Sequence, residues 1–155
     1  MRGWGAAATG ALFAVLIAFV AAPASAASPV AAGPFANWAA IVVAGDFHAH
    51  SGDTTEAFDN ARRDVAVSLV KRMGFSAQNL RTFSMRPRLY RDKPAAADIR
   101  GIYRGLVDVA DKAKDGCLIY FPSHGAPNGV VLGDNIAQPG VMSRMVDSAC
   151  PDRPA

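Results

Sequence analysis

Apolar positions recur along the chain in two rhythms, and the alternation between them predicts the fold class. Trp38-Ala39-Ala40-Ile41-Val42-Val43-Ala44-Gly45 is an unbroken apolar run. It is too short for a helix, rich in β-branched residues and closed by glycine, which predicts a strand buried in a parallel sheet. Asp46 to Asp53 follows as a polar loop at the strand's C-terminal end. Asp53-Thr54-Thr55-Glu56 has the spacing of a capping box, with Asp53 as N-cap. Phe58, Ala61, Val65, Leu69 and Met73 then recur at intervals of three and four, the stripe of an amphipathic helix, and Gly74 suits its C-terminal side. Leu80 to Phe83 forms a candidate second strand. A second helix is expected from near Pro94, a residue tolerated in a first turn, burying Ile99, Ile102, Leu106, Val109 and Ala113 before Gly116 ends it. Cys117-Leu118-Ile119-Tyr120-Phe121 reads as a third strand closed by Pro122, and Gly129 to Leu132 as a hairpin arm. Pro139 opens a last helix with Val141, Met142, Met145, Val146 and Ala149 on one face. Strands alternating with helices predict an α/β domain with a mostly parallel, helix-covered sheet.

The first 26 residues follow neither rhythm. Arg2 is the only charge before Asp46, the centre from Ala11 to Ala22 is almost wholly apolar, and Pro23 precedes Ala24-Ser25-Ala26. A basic end, an apolar centre and a small-residue exit are the parts of a secretory signal, so cleavage after Ala26 and export to the periplasm or beyond are expected. The alternative is an uncleaved anchor, since roughly 20 apolar residues span a bilayer; the proline and the small residues favour cleavage. No later apolar run is long enough to span, so no membrane contact is expected once the signal is gone. Residues 27–37, rich in Ala, Ser, Pro and Gly, form a flexible lead-in to one domain over 38–155.

Without the signal, 15 basic and 13 acidic side chains remain, a net charge of +2. Most of the basic excess lies between Arg81 and Lys93, beside Pro87 and Pro94, and reads as a solvated loop. A nucleic-acid surface would need sustained charge and stacking aromatics, so no nucleic-acid partner is expected. Two cysteines, Cys117 and Cys150, make no disulfide scaffold. An oxidising compartment would let them pair, but one opens a strand and the other ends a helix, and two unpaired thiols are expected.

In open α/β sheets, ligands bind beyond the carboxyl ends of the strands. Two histidine-bearing segments fall there: Asp46-Phe47-His48-Ala49-His50 and Ser123-His124-Gly125. A histidine fixed at a strand end can act as acid or base near neutral pH. A glycine directly after it lets a substrate carbonyl approach a backbone N–H that serves as oxyanion donor. His48 and His50, with Asp46, are similar to the metal-binding strand end of the amidohydrolases and PHP-type phosphoesterases. Those sites need several more histidines; this chain has three in all, so no metal is expected.

Trp38 to Gly45 followed by Phe58-Asp59-Asn60-Ala61-Arg62-Arg63-Asp64-Val65, then Phe75-Ser76-Ala77-Gln78-Asn79-Leu80, resembles the opening of bacterial members of the legumain family of cysteine peptidases. The resemblance resumes at Asp115 to Phe121 with Ser123-His124-Gly125 and continues through Gly129-Val130-Val131-Leu132-Gly133. It covers most of residues 38–155, in order and at compatible spacing. It implies a caspase-like three-layer α/β sandwich and a His/Cys dyad on neighbouring strand ends, acting on a peptide or protein substrate without a cofactor. His124 matches the catalytic histidine and Gly125 the backbone oxyanion donor. Asn60-Ala61-Arg62 resembles the Asn-x-Arg whose guanidinium contacts substrate, holding a P1 Asn or Asp through directed hydrogen bonds. The family's nucleophile ends a further apolar strand in a Ser-Ala-Cys type sequence. Ser148-Ala149-Cys150 resembles that text, but helical spacing with Arg144 and Asp147 precedes it, which makes Cys150 a secondary candidate. Ala149 to Pro154 looks like the family's link into the nucleophile strand. The expectation is therefore the N-terminal portion of an endopeptidase domain, its C-terminal part missing and inactive as it stands. Two alternatives stay open: a metal-dependent hydrolase using His48 and His50, and a non-catalytic peptide-binding pseudo-enzyme using Arg62 and the rim loops.

Overall fold

The run from Trp38 to Ala44 has no polar position, and it becomes the strand that meets neighbours on both edges and helices on both faces. The computed structural model describes residues 33–155; the expected signal (1–26) and residues 27–32 of the lead-in lie outside the described residues. β1 (Trp38–Ala44) leads to α1 (Ala57–Lys71), β2 (Leu80–Ser84), the two-residue β3 (Ala95–Ala96), α2 (Ile99–Lys112) and β4 (Gly116–Tyr120). Three short strands, β5 (Gly125–Ala126), β6 (Gly129–Leu132) and β7 (Asn135–Ala137), precede α3 (Pro139–Ala149). The first four strands form a parallel sheet in the order β3-β2-β1-β4, and β5-β6-β7 form an antiparallel one.

Period-two alternation along β1 sorts its side chains between two cores. Ala39, Ile41 and Val43 pack with Ile102, Leu106 and Val109 of α2 and Met145 and Ala149 of α3. Ala40 and Val42 pack with Leu69 of α1 and with Phe75. The α/β expectation thus holds, with helices on both faces of a parallel sheet. Residues 39–44 are wholly buried, and full burial of each large side chain is worth about 1.5–3 kcal/mol.

Several local expectations are corrected. Asp53 does not cap α1, because it is engaged in its own loop: its carbonyl accepts from Ala49 N at 2.6 Å and its carboxylate from Ser51 Oγ at 2.9 Å. The helix begins four residues later, where Thr55 Oγ1 accepts from Ala57 N at 3.2 Å. The buried face of α1 is Asp59, Arg62 and Leu69, while Met73 is exposed, so the inward stripe is rotated from the apolar one. Pro94 precedes β3 instead of opening α2; Asp98 is the N-cap, its Oδ1 accepting from Gly101 N at 2.8 Å. Ile102, Leu106, Val109 and Ala113 are buried as expected, and Pro139 is at the start of α3.

The two cysteines are not free. Cys117 and Cys150 form a disulfide that ties β4 to the end of α3, and among the described residues no cysteine is unpaired. Helical geometry carries Cys150 back to the sheet edge, a proximity that a reading of each cysteine in its own local setting did not contain. The segment after α3 stays on that edge. Pro154 O accepts from Cys117 N at 2.9 Å, and the Arg153 guanidinium donates to Ala110 O, Ala113 O and Ala149 O at the C-terminal ends of α2 and α3. A cation there suits both helix dipoles. Backbone groups alternate sides along a strand, so the N–H and C=O of Ile119 point outward as those of Cys117 do, and beyond Pro154 no strand among the described residues pairs with that edge of β4.

Candidate active site

The sheet order fixes where a ligand would bind. From β1 the chain runs through α1 to β2 on one side, whereas β4 returns to β1's other side. The chain leaving β1 enters α1 on one face, while the chain leaving β4 heads for α3 on the other. The divergence opens a crevice at the strands' C-terminal ends, the usual ligand position in such sheets. Gly45 closes its floor: its N–H donates to Pro122 O at 3.1 Å and its carbonyl accepts from Gly133 N at 2.8 Å. A Cβ on Gly45 would stand 2.4 Å from the Phe121 ring and 2.6 Å from Val131 O, so no larger residue fits between them.

His124 meets the segment of His48 and His50, far from it in sequence, at this crevice. His124 Nε2 lies 3.0 Å from the backbone carbonyl of His48. A carbonyl only accepts, so Nε2 carries the proton and donates, leaving Nδ1 as the basic nitrogen of the neutral ring. Phe58 stands edge-on to the His124 ring at 4.9 Å, and the exposed His50 ring lies 6.3 Å away. Ser123 and His124 are held by the hairpin: Ser123 Oγ donates to Val131 O at 2.6 Å and His124 O accepts from Val131 N at 2.9 Å. Bonded and non-bonded pairs alternate in an antiparallel ladder, which turns the N–H of Gly125 away from β6. A Cβ on Gly125 would meet nothing within 4 Å. Packing does not require glycine there.

Asp46 anchors the opposite wall and is 4% exposed. Its Oδ1 accepts from Phe47 N at 2.7 Å, His48 N at 3.1 Å and the His48 ring at Nδ1, 2.8 Å away. Burial alone would raise its pKa, but the His48 ring and the two backbone N–H groups outweigh it and hold the carboxyl below its ordinary value. The bond directs His48 Nε2 outward from a ring that is 43% exposed.

Two expected site residues are elsewhere. Arg62 is wholly buried. Its Nε donates to Asp59 Oδ1 at 2.9 Å and its Nη1 to Asp92 Oδ2 at 2.5 Å, with the Tyr90 ring 5.3 Å from the guanidinium carbon. It has no face left for a substrate, because a buried cation must be neutralised where it lies. Cys150 is 3% exposed and its sulfur is bonded to Cys117, so it offers no thiolate. The arginine at the rim is Arg86, against the Phe47 ring at 5.1 Å, with Nη2 bonded to Thr55 O, Glu56 Oε1 and Tyr90 OH. Its position in the basic 81–93 stretch made it look solvated. Among the described residues, no group of three or more His, Cys, Asp or Glu side chains is arranged to hold a metal ion. Comparisons with protein-family models, curated proteins and solved structures give no match to this chain.

Proposed function

We propose that this chain carries the histidine half of an exported, legumain-type cysteine endopeptidase with a caspase-like fold. The observation that carries the reading is His124 at the crevice beyond the strands, its Nε2–H committed to the His48 carbonyl and Nδ1 left as the basic nitrogen, with Gly125 directly after it. In the reaction His124 Nδ1 takes the proton of the thiol, and the resulting thiolate attacks the peptide carbonyl carbon and forms a C–S bond, while the Gly125 N–H donates to the developing oxyanion. His124 gives the proton on Nδ1 to the amide nitrogen as the C–N bond breaks. It then takes a proton from the water that hydrolyses the thioester, releasing a carboxylate and the thiol. Both cysteines of the sequence are in the disulfide. The nucleophile in this reading is a cysteine on a strand added along the open edge of β4.

The test compares this chain with a form extended past Ala155 by an apolar strand ending in Ser-Ala-Cys. The 155-residue chain is expected to leave Asn- and Asp-containing peptides uncut and to take up no thiol-directed activity probe. The extended form should cleave, and His124→Ala should lower its kcat/KM by roughly 10²–10⁴-fold, the usual worth of a positioned acid–base group. Cleavage by the 155-residue chain that Cys150→Ala and His124→Ala both abolish would make Cys150 the nucleophile and sink the reading.

A second reading, a hydrolase with a metal on His48 and His50, has one observation in its favour. Asp46 orients His48 through Nδ1, as carboxylates do for metal-bound histidines. Stoichiometric zinc, lost when both histidines become alanine, would favour it. Export is supported by the disulfide, since such bonds persist in oxidising compartments. Periplasmic protein is expected to begin at Ala27; an intact Met1 chain in the membrane fraction would show an anchor instead.

A further inference from the structure

We propose that Asp46 is a positioning residue for His124, acting through the backbone of His48. The proposal rests on His124 being the acid–base group of the site. One carboxylate oxygen, Oδ1, accepts from two successive backbone N–H groups and from the His48 ring. The two backbone bonds set the turn of the chain at Phe47 and His48, and the ring bond stops the His48 side chain from pulling that turn open. With His48 fixed on this side, and Ala49 N held by Asp53 O on the other, the His48 carbonyl meets His124 Nε2 at 3.0 Å.

The alternative is an aspartate that only closes a turn, and exchange of the His124 ring proton separates the two roles. The rest of the loop has its own ties: Thr55 N donates to Phe47 O at 2.8 Å, Ala49 N to Asp53 O at 2.6 Å, and His48 bridges to Thr54. The Ala49 bond holds the far side of the peptide plane that carries the His48 carbonyl, because Ala49 N–H and His48 C=O belong to one planar amide. The bonds at Asp46 hold His48 on the near side of that plane, through its own N–H and its ring, and the tautomer of His124 depends on the resulting aim. Without it the imidazole can rotate or exchange tautomers, and Nδ1 no longer faces the crevice as the basic nitrogen. Ionised acceptors make shorter and stronger bonds than neutral ones, so asparagine at position 46 would be a weaker anchor even where it fits.

The experiment reads His124 directly by nitrogen-15 NMR of the folded chain at pH 7.5. A ring N–H bonded to a carbonyl exchanges with water slowly enough to be observed, whereas a free one does not. The native protein should show a protonated Nε2 and a bare Nδ1 for His124. In Asp46→Asn, with the methyl spectrum of the core unchanged, the Nε2 proton should exchange at least about tenfold faster or disappear. An unchanged signal in Asp46→Asn overturns the proposal, as does its absence from the native protein. If Asp46→Asn does not fold, His48→Gln decides. It keeps every backbone group but loses the ring bond to Asp46; faster exchange at His124 is expected, and unchanged exchange overturns the proposal. None of these signals depends on peptide cleavage, so failure of the peptidase reading would be seen separately.

Discussion

Replacing Arg62 by alanine lowers the stability of the folded chain by about 3–5 kcal/mol, the usual result of removing one partner from a buried ion pair. The size follows from what the guanidinium leaves behind. Asp59 is 1% exposed and also accepts from Ser84 Oγ, itself wholly buried, at 3.1 Å. Without Arg62 that carboxylate has a hydroxyl as its remaining partner in a region closed to water. On the other side Arg62 reaches Asp92 in the loop between β2 and β3, so the same substitution also frees that loop from α1. Urea unfolding measures the loss as a fall in the midpoint. An unchanged midpoint would show that the guanidinium is not structural and would return it to the substrate role that Asn60-Ala61-Arg62 suggested. Acid gives a second measure. The hydrogen bond from Arg62 holds the Asp92 carboxyl below its ordinary value, against burial that would raise it. A lowered folded-state pKa contributes stability that is complete above the unfolded value and is lost as pH falls through the folded one. Stability should therefore drop below the ordinary carboxylate range in the native protein. The Asp92 share of that drop should shrink in Arg62→Ala, where Arg63 and a backbone N–H remain; it is small, because the Asp92 side chain is 41% exposed.

Breaking the bond between Cys117 and Cys150 should cost about 3–4 kcal/mol, from the entropy that a cross-link over such a loop removes from the unfolded chain. The two residues are 33 apart, and the loop between them contains the hairpin, α3 and His124. The bond also holds the end of α3 against β4, where Arg153 and Pro154 add their own hydrogen bonds. Protein from an oxidising compartment should show no titratable thiol in denaturant, and reduction should lower its urea midpoint. The double variant Cys117→Ala/Cys150→Ala should unfold near the reduced protein. Two titratable thiols in unreduced, denatured material would contradict the disulfide and restore Cys150 as a candidate nucleophile.

The local sequence carried the elements whose burial is apolar. β1 and the Cys117 strand were legible because an unbroken apolar run has one inexpensive position, the interior of a sheet covered on both faces. α2 and α3 were legible because their stripes at intervals of three and four are the faces they bury. The rim at the strands' C-terminal ends followed from the same parallel pattern, and with it the location of His48 and His124. α1 marks where this reasoning stops. Phe58, Ala61 and Val65 made the better apolar stripe, yet the helix turned Asp59 and Arg62 inward. A polar residue's burial depends on whether a partner waits inside, and Ser84 and Asp92 lie 25 and 30 residues away.

The same distinction separates the site's parts. The presence of His124 at a strand end is a property of its own segment. Its tautomer is not, because that depends on a carbonyl 76 residues earlier, which Asp46 aims. Cys150 read as the end of a helix, and only the return of that helix to β4 made it half of a disulfide. The sequence alone determined the α/β class, the strands and helices with apolar faces, and the residue types at the rim, since transfer of apolar side chains from water is non-directional and needs no named partner. The tertiary structure decided every directional bond, from the buried Arg62 pairs to the His48–His124 contact, because a hydrogen bond requires its two atoms at one distance and angle.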